Sequence, residues 1–291
     1  GSEMCIRDSL FFLSLIVFPS LVSAVDIPPG QAIAPPPGKS AIRFEMNSVR
    51  FGDKYLAGKA LNTRSELTFN TLGVQYSGSF LINNRLAGFY LNSAVGMAEP
   101  GGSINTQKEV GGLTDSAAAL VTWLLADKEK GRYSVFGVYG IAPTGKYDSD
   151  RAINLSQNRF AGGLQLGYHT RLAPSWDIMA IADVMISGEN DDYRLTHQTY
   201  KQDPLYSTQV TLMHHLDPSL TLSATYYFYA GGRGRLDGNK LDDDIRRNRY
   251  EVVLSKRVGS AKYFFYFGKD ANTENGFIEE QRLSLRYQHY L

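Results

Sequence analysis

The amino-acid sequence predicts an all-β fold, a transmembrane antiparallel up-and-down β-barrel of about 12 strands. Runs of about ten residues alternate apolar with polar side chains, and very short turns alternate with long, charged loops as the connections between these runs. Membrane-spanning strands are about 9–11 residues long, with short periplasmic turns and longer outer loops. After residue 24 no stretch approaches the roughly 18 apolar residues that a spanning helix needs. Any membrane insertion would therefore use strands.

The start of the chain has the pattern of a signal peptide. Residues 10–24 form an apolar core that ends in the small residues Val22-Ser23-Ala24, which suit cleavage after Ala24. Residues 1–24 are thus predicted to direct export and to be removed. The flank before the core has little positive charge, and three residues precede Met4. We therefore expect the first residues not to be native.

Composition excludes several kinds of function. Cys5 is the only cysteine and lies before the predicted cleavage site, so the exported chain has no thiol for catalysis, metal binding or a disulfide. The 30 Lys and Arg residues nearly balance the 29 Asp and Glu residues. A chain with so little net charge offers no strongly basic surface, and we expect no nucleic-acid partner.

Residues 25–39 are rich in proline, in the runs Pro28-Pro29-Gly30 and Pro35-Pro36-Pro37-Gly38. Proline holds the backbone extended and cannot donate a hydrogen bond to a neighbouring strand. We interpret this segment as a periplasmic lead-in that acts as a surface tether, and we place the outer-membrane barrel at residues 40–291. The alternative is a plug that folds back into a lumen.

The predicted strands follow one another through the rest of the chain. Leu164, Leu166 and Tyr168 share one side of a strand, and Gln165 and His169 lie opposite. Such a period of two residues argues for strand and not for helix. The predicted strands cover about residues 40–50, 65–81, 86–98, 116–126, 133–142, 160–172, 176–186, 205–216, 220–230, 248–256, 261–268 and 278–291.

Five short turns, near residues 83, 129, 174, 218 and 259, alternate with longer loops. Asn83-Asn84 suits a tight hairpin because Asn tolerates a positive φ. An even number of strands places both ends of the barrel on the periplasmic side and the charged loops outside.

The last strand predicts where the barrel is inserted. Leu283, Leu285, Tyr287 and Leu291 form an apolar pattern that resembles the β-signal of bacterial outer-membrane proteins, which engages the barrel-assembly machinery. The 18 Tyr and 15 Phe residues are numerous enough for aromatic belts at the lipid headgroups. We therefore predict export to the outer membrane of a Gram-negative bacterium, in contact with lipid and lipopolysaccharide.

Opposite the apolar stripes, polar side chains would line the barrel lumen and set its selectivity. Mixed charges and tyrosines suit a narrow passage for a small polar or aromatic solute. The lumen-lining candidates are Arg43, Glu45, Gln165, His169, Arg171, Asp177, Asp183, Gln209, Thr225, Tyr227, Tyr229, Arg249 and Glu251.

Three alternatives stay open. A soluble all-β sandwich also alternates its side chains, although its connections vary at both ends. A barrel hydrolase could be phospholipase-like, but the His and Ser two apart on a strand that this class uses do not occur here. It could also be omptin-like, with Asp191-Asp192 and His197 on an outer loop, although a charged outer loop that meets lipopolysaccharide is the better explanation of these residues. A structural barrel would have lumen side chains that pair across a packed interior and conduct nothing.

The sequence gives no catalytic, cofactor or metal site. Gly140 to Lys146 fits the spacing of a phosphate loop, but Tyr147 stands where Ser or Thr would bind magnesium and no helix is predicted to follow. Asp242-Asp243-Asp244 lacks the spacing of an EF-hand. His214 and His215 would point to opposite faces of a strand.

Several short motifs resemble the family named for the MetA pathway of phenol degradation. They are Ile27-Pro28-Pro29-Gly30, Ala34-Pro35-Pro36-Pro37-Gly38, GGLTDSAAALVTWLLAD at 111–127, and IAPTGKYD at 141–148 followed by Asn158-Arg159. The resemblance implies an outer-membrane transporter for the passive uptake of aromatic or other hydrophobic compounds. It implies no catalytic residues.

Overall fold

The computed structural model describes residues 25–195 and 197–291, and the predicted signal peptide at residues 1–24 lies outside them. This part of the chain contains no helix of the length and apolar character that crossing a membrane requires. Its architecture rests on twelve long strands. They are β1 (Ser40–Leu56), β2 (Ser65–Ile82), β3 (Arg85–Gly102), β4 (Ser116–Asp127), β5 (Arg132–Ala142), β6 (Ala161–Ala173), β7 (Trp176–Ser187), β8 (Leu205–His215), β9 (Leu220–Gly231), β10 (Ile245–Val258), β11 (Ala261–Thr273) and β12 (Gly276–Tyr290).

These strands form one closed barrel. Each pairs antiparallel with the long strands next to it in sequence, and β12 pairs with β1. The closing register places Ala41 opposite Tyr290 and Phe44 opposite Tyr287. Closure leaves the wall without a free sheet edge, and its backbone N–H and C=O groups find partners across the strands. The predicted all-β barrel of 12 strands is confirmed.

The barrel is apolar outside and polar inside. On β1, Phe44 and Met46 are 46% and 60% exposed on the outer face, whereas Arg43 is only 9% exposed on the inner face. On β9, Tyr226 points outward, and Tyr227 and Tyr229 are buried inside. Successive side chains of a strand point to opposite faces, so one alternating sequence supplies both surfaces. This distribution is typical of a barrel embedded in lipid.

The short turns and the two ends of the barrel wall lie at one end of the molecule, which we call the short-turn end. Asn83 and Asn84 make the β2–β3 turn with φ values of 48° and 62°. Leu291 N donates to Ser40 O over 2.8 Å, and Tyr290 N donates to Ser260 O over 2.9 Å in the β10–β11 turn. The long connections lie at the opposite end, the loop end.

At the loop end the strands continue beyond their predicted limits. β1 ends at Leu56 and β3 at Gly102, against predicted ends near residues 50 and 98, and β3 stays paired with β2 to its end, with Gly102 opposite Ser65. Within predicted loops, four short strands form a separate sheet in the order Asn190–Tyr193, Gln198–Gln202, Gly234–Leu236 and Asn239–Lys240. Two more, Lys59–Ala60 and Val110–Leu113, pair with β1 and β3. Outward side chains beyond a membrane can be charged, so the apolar alternation ends there while the hydrogen-bonded ladder continues.

Candidate functional site

The lumen contains nearly all of the polar side chains predicted to line it. Glu45 and Gln165 are half-buried, and Arg171 is exposed, with its Nε 4.0 Å from Asp177 Oδ1. The structure buries the others: Arg43, His169, Asp177, Asp183, Gln209, Thr225, Tyr227, Tyr229, Arg249 and Glu251.

Residues 25–36, which we call the N-terminal plug, lie inside the barrel. Gln165 Nε2 on β6 donates to Val25 O over 2.7 Å. Gln209 on β8 accepts from Ile27 N over 3.1 Å and donates to Ile27 O over 2.5 Å. These contacts agree with a segment folded back into the lumen. The interpretation of these residues as a surface tether is therefore wrong. A proline-rich segment cannot pair along a strand, and side-chain amides of the wall supply its backbone hydrogen bonds instead.

Asp26 is the charged anchor of the plug. Its carboxylate accepts a hydrogen bond from Tyr229 Oη over 2.8 Å and forms an ion pair with Arg249. The Arg249 guanidinium is completely buried and lies 4.0 Å from the centre of the Tyr227 ring. Tyr227 Oη in turn donates to Glu251 over 2.9 Å. Burial of an arginine is costly without a carboxylate, so this pair stabilises the plug where it lies.

The plug runs from this anchor toward the short-turn end. Trp123 Nε1 donates to Ala32 O over 2.9 Å, and Ala32 packs among Met179, Ile181 and Met213. Ser79 Oγ donates to Pro36 O over 2.7 Å. The plug therefore follows the inner wall until the chain enters β1.

A second group of charged side chains lies on β10 and β12 and is absent from the sequence-based candidates: Arg247, Glu279, Arg282 and Arg286. Arg286 Nε is 2.5 Å from Glu45 Oε2, and Glu279 is 2.7 Å from both Arg247 and Arg282. Period-two counting could have found two of these side chains, because Arg282 and Arg286 alternate with the apolar Leu283 and Leu285 of the same strand.

Two buried clusters contain titratable groups. Tyr139 Oη donates to Asp183 Oδ1 over 3.1 Å. Asp177 Oδ2 lies 3.3 Å from His169 Nε2 and 2.9 Å from His215 Nε2. His214 instead stacks on the outer Trp176 ring, with the ring centres 4.2 Å apart. In the described residues, no group of three His, Cys, Asp or Glu side chains is arranged to hold a metal ion.

The loop end of the lumen is partly filled by the chain itself. Ile153 and Leu155, from the connection between β5 and β6, pack in an apolar cluster with the inward-facing Val49, Phe51 and Leu67. Outside the barrel, Asp192 and His197 form a close hydrogen bond, which raises the pKa of His197. Both side chains are exposed to solvent.

A cavity of about 700 Å³ lies between the plug and the wall at the short-turn end. The plug supplies one side of it, from Ile27 to Pro36. Pockets of about 300–1,000 Å³ can bury most of a small organic molecule. The wall side includes Arg43, Tyr90, Trp123, Tyr139, Gln165, Met213, His215, Ser255, Lys262 and Phe264.

Comparison with known proteins gives a family and a fold. A model of the family described as "Putative MetA-pathway of phenol degradation" matches residues 49–287. The structure is similar to an outer membrane channel from Pseudomonas putida F1, with a TM-score of 0.88 and 24% identity over 91% of this chain and 100% of that chain. No curated protein has a significantly similar sequence.

Two autotransporter domains share the barrel architecture less closely. The β domain of the Bordetella autotransporter Brka has a TM-score of 0.53 and 13% identity over 87% of this chain and 99% of that chain. The transport unit of AIDA-I from Escherichia coli has a TM-score of 0.51 and 8% identity over 98% and 97%. Likeness at these identities shows the outer-membrane barrel fold alone.

Proposed function

This chain belongs to the family of the MetA pathway of phenol degradation, and on that premise we propose that it is a passive outer-membrane channel for small organic solutes, aromatic or hydrophobic ones included. In this proposal the signal peptide directs export and the barrel-assembly machinery engages the C-terminal strand. The apolar outer face then contacts lipid and lipopolysaccharide. The short-turn end, with its cavity, faces the periplasm.

The observation that carries the proposal is the plugged lumen. Residues 25–36 obstruct the interior of a closed barrel but form no strand of its wall. They are held there by side-chain hydrogen bonds from Gln165, Gln209 and Trp123 and by the Asp26–Arg249 pair. Such contacts can break while the ladder between strands stays intact. Movement of the plug would therefore open a path beside the lumen-lining residues without unfolding the barrel.

Conductance of the purified protein in planar lipid bilayers tests this function. We expect brief, small openings from the chain that begins at residue 25, and a several-fold larger and steadier conductance after deletion of residues 25–36. Liposome swelling in small neutral organic solutes should rise in parallel. If a folded, heat-modifiable barrel conducts in neither form, the closed structural barrel is the better account.

The exposed Asp192–His197 pair favours a second candidate, a hydrolase that acts at the loop end. Incubation of the protein with phospholipid and with peptide tests it. Hydrolysis that disappears in His197→Ala, with conductance unchanged, would establish this second activity. Hydrolysis that is absent, or that persists in His197→Ala, would remove the pair from consideration as a catalytic site.

A further inference from the structure

We propose that the cavity at the short-turn end binds small organic anions with an aromatic body, such as aromatic carboxylates. The inference rests on the proposed channel and names the class of solute that it takes.

The first support is the charge of the cavity wall. Four basic side chains line it, those of Lys39, Arg43, Arg257 and Lys262, and its described lining includes no Asp or Glu side chain. In a cleft with low-dielectric walls, unbalanced charge of one sign raises the local concentration of ions of the opposite sign.

The second support is the environment of Arg43, which is buried without a carboxylate partner among the described residues. Its guanidinium donates to three glutamine oxygens, over 3.0 Å to Gln288, 3.1 Å to Gln75 and 3.5 Å to Gln31. The neighbouring inward carboxylate, Glu45, is occupied by Arg286. Amide oxygens orient a guanidinium but do not neutralise it, so Arg43 can pair with a carboxylate that enters the cavity.

The third support is the apolar and aromatic part of the wall. Tyr90, Trp123 and Phe264 line the cavity together with the prolines of the plug. Lys262 Nζ lies 4.8 Å from the centre of the Phe264 ring, so one of the cations is next to an aromatic surface. The buried Tyr90 Oη has no hydrogen-bond partner in the described part of the chain, so a donor is free for a carboxylate. A ring with a single negative group matches all of these features.

Calorimetric titration of the detergent-solubilised protein with benzoate, benzamide and benzylamine tests the assignment, because these probes share a ring and differ in charge. We expect benzoate to bind about tenfold more tightly than benzamide, and benzylamine to bind most weakly, since a charge-assisted pair is about twice as strong as a neutral hydrogen bond. Added salt should weaken the binding of benzoate but not that of benzamide.

Two variants locate the site. Arg43→Gln and Lys262→Gln should each weaken benzoate binding several-fold and leave benzamide binding unchanged. The Lys262 ammonium makes no hydrogen bond to another residue that the structure describes, so its variant keeps the test valid if Arg43→Gln does not fold. Arg50→Gln is the matched control, because Arg50 lies on the same strand at the loop end and pairs with Glu280.

Equal affinity for benzoate and benzamide, or full benzoate affinity in both variants, would overturn the assignment. The proposed channel fails separately. A barrel that prefers benzoate but never conducts, with or without its plug, would contradict transport and support the binding site. A conducting barrel that does not distinguish the probes would contradict only the binding site.

Discussion

Asp26 is the single side chain through which charge holds the N-terminal plug in place. Its partner Arg249 is completely buried, so loss of the carboxylate charge removes the neutralising partner. Asp26→Asn keeps the shape and an acceptor oxygen, and we expect it to weaken the plug by about 1–2 kcal/mol, the gap between a charge-assisted and a neutral hydrogen bond. The probability that the channel is open should rise about tenfold in single-channel recordings.

Asp191→Asn serves as the control for this prediction, because Asp191 is an exposed residue at the loop end. An open probability unchanged in Asp26→Asn, together with the larger conductance after deletion of residues 25–36, would show that uncharged contacts hold the plug.

The lumen side chains differ in how far the sequence could predict them. Arg43, Asp183 and Tyr229 follow from strand parity, since each lies between apolar residues of a strand with a clear period of two. Asp26 could not be found in this way. It lies in a segment without strand or helix periodicity, and its role depends on Arg249, 223 residues away in the chain. No local pattern encodes a contact across the lumen.

The N-terminal plug can be locked in place by a disulfide, because the predicted mature chain has no cysteine of its own. A Cβ added at Gly167 on β6 would lie 3.8 Å from the Cβ of Ala32, which is the mean spacing in a disulfide, about 3.8 Å. The same atom would lie 2.8 Å from both Val135 Cγ1 and Ile181 Cδ1. We therefore expect Ala32→Cys with Gly167→Cys, Val135→Ala and Ile181→Val to form the bond. Oxidation should then abolish channel openings, and a reducing agent should restore them.

The control for the lock lacks only Ala32→Cys and should conduct equally under oxidising and reducing conditions. A cross-linked channel that opens as often as the reduced one would contradict a role for this part of the plug in gating.

Segments differed in predictability for a physical reason. The membrane-spanning part of each strand could be predicted because lipid requires an apolar residue at every second position. The extensions of β1, β3, β10 and β11, and the four-stranded sheet at the loop end, could not, because water tolerates any outward side chain there. The surface position that the sequence predicts for the proline-rich plug is wrong for a related reason. Its composition suits a solvated tether, and it equally suits a segment inside the barrel whose hydrogen-bond partners are side chains of the wall.

The apolar outer face of the barrel predicts how the effect of a charged substitution on stability depends on its depth in the membrane. Val210 lies at the middle of β8 and Tyr206 near its loop end, and both side chains point outward. An arginine on the lipid face costs about 2–4 kcal/mol at the midplane of the bilayer and about 0–1 kcal/mol near its surfaces. In lipid vesicles, Val210→Arg should therefore reduce the free energy of unfolding by about 2–4 kcal/mol, and Tyr206→Arg by much less. Denaturant titration of both variants measures the difference. Equal losses of unfolding free energy at the two positions would place β8 outside the hydrocarbon, since in water or at the membrane surface the cost of an outward arginine does not depend on its position along the strand.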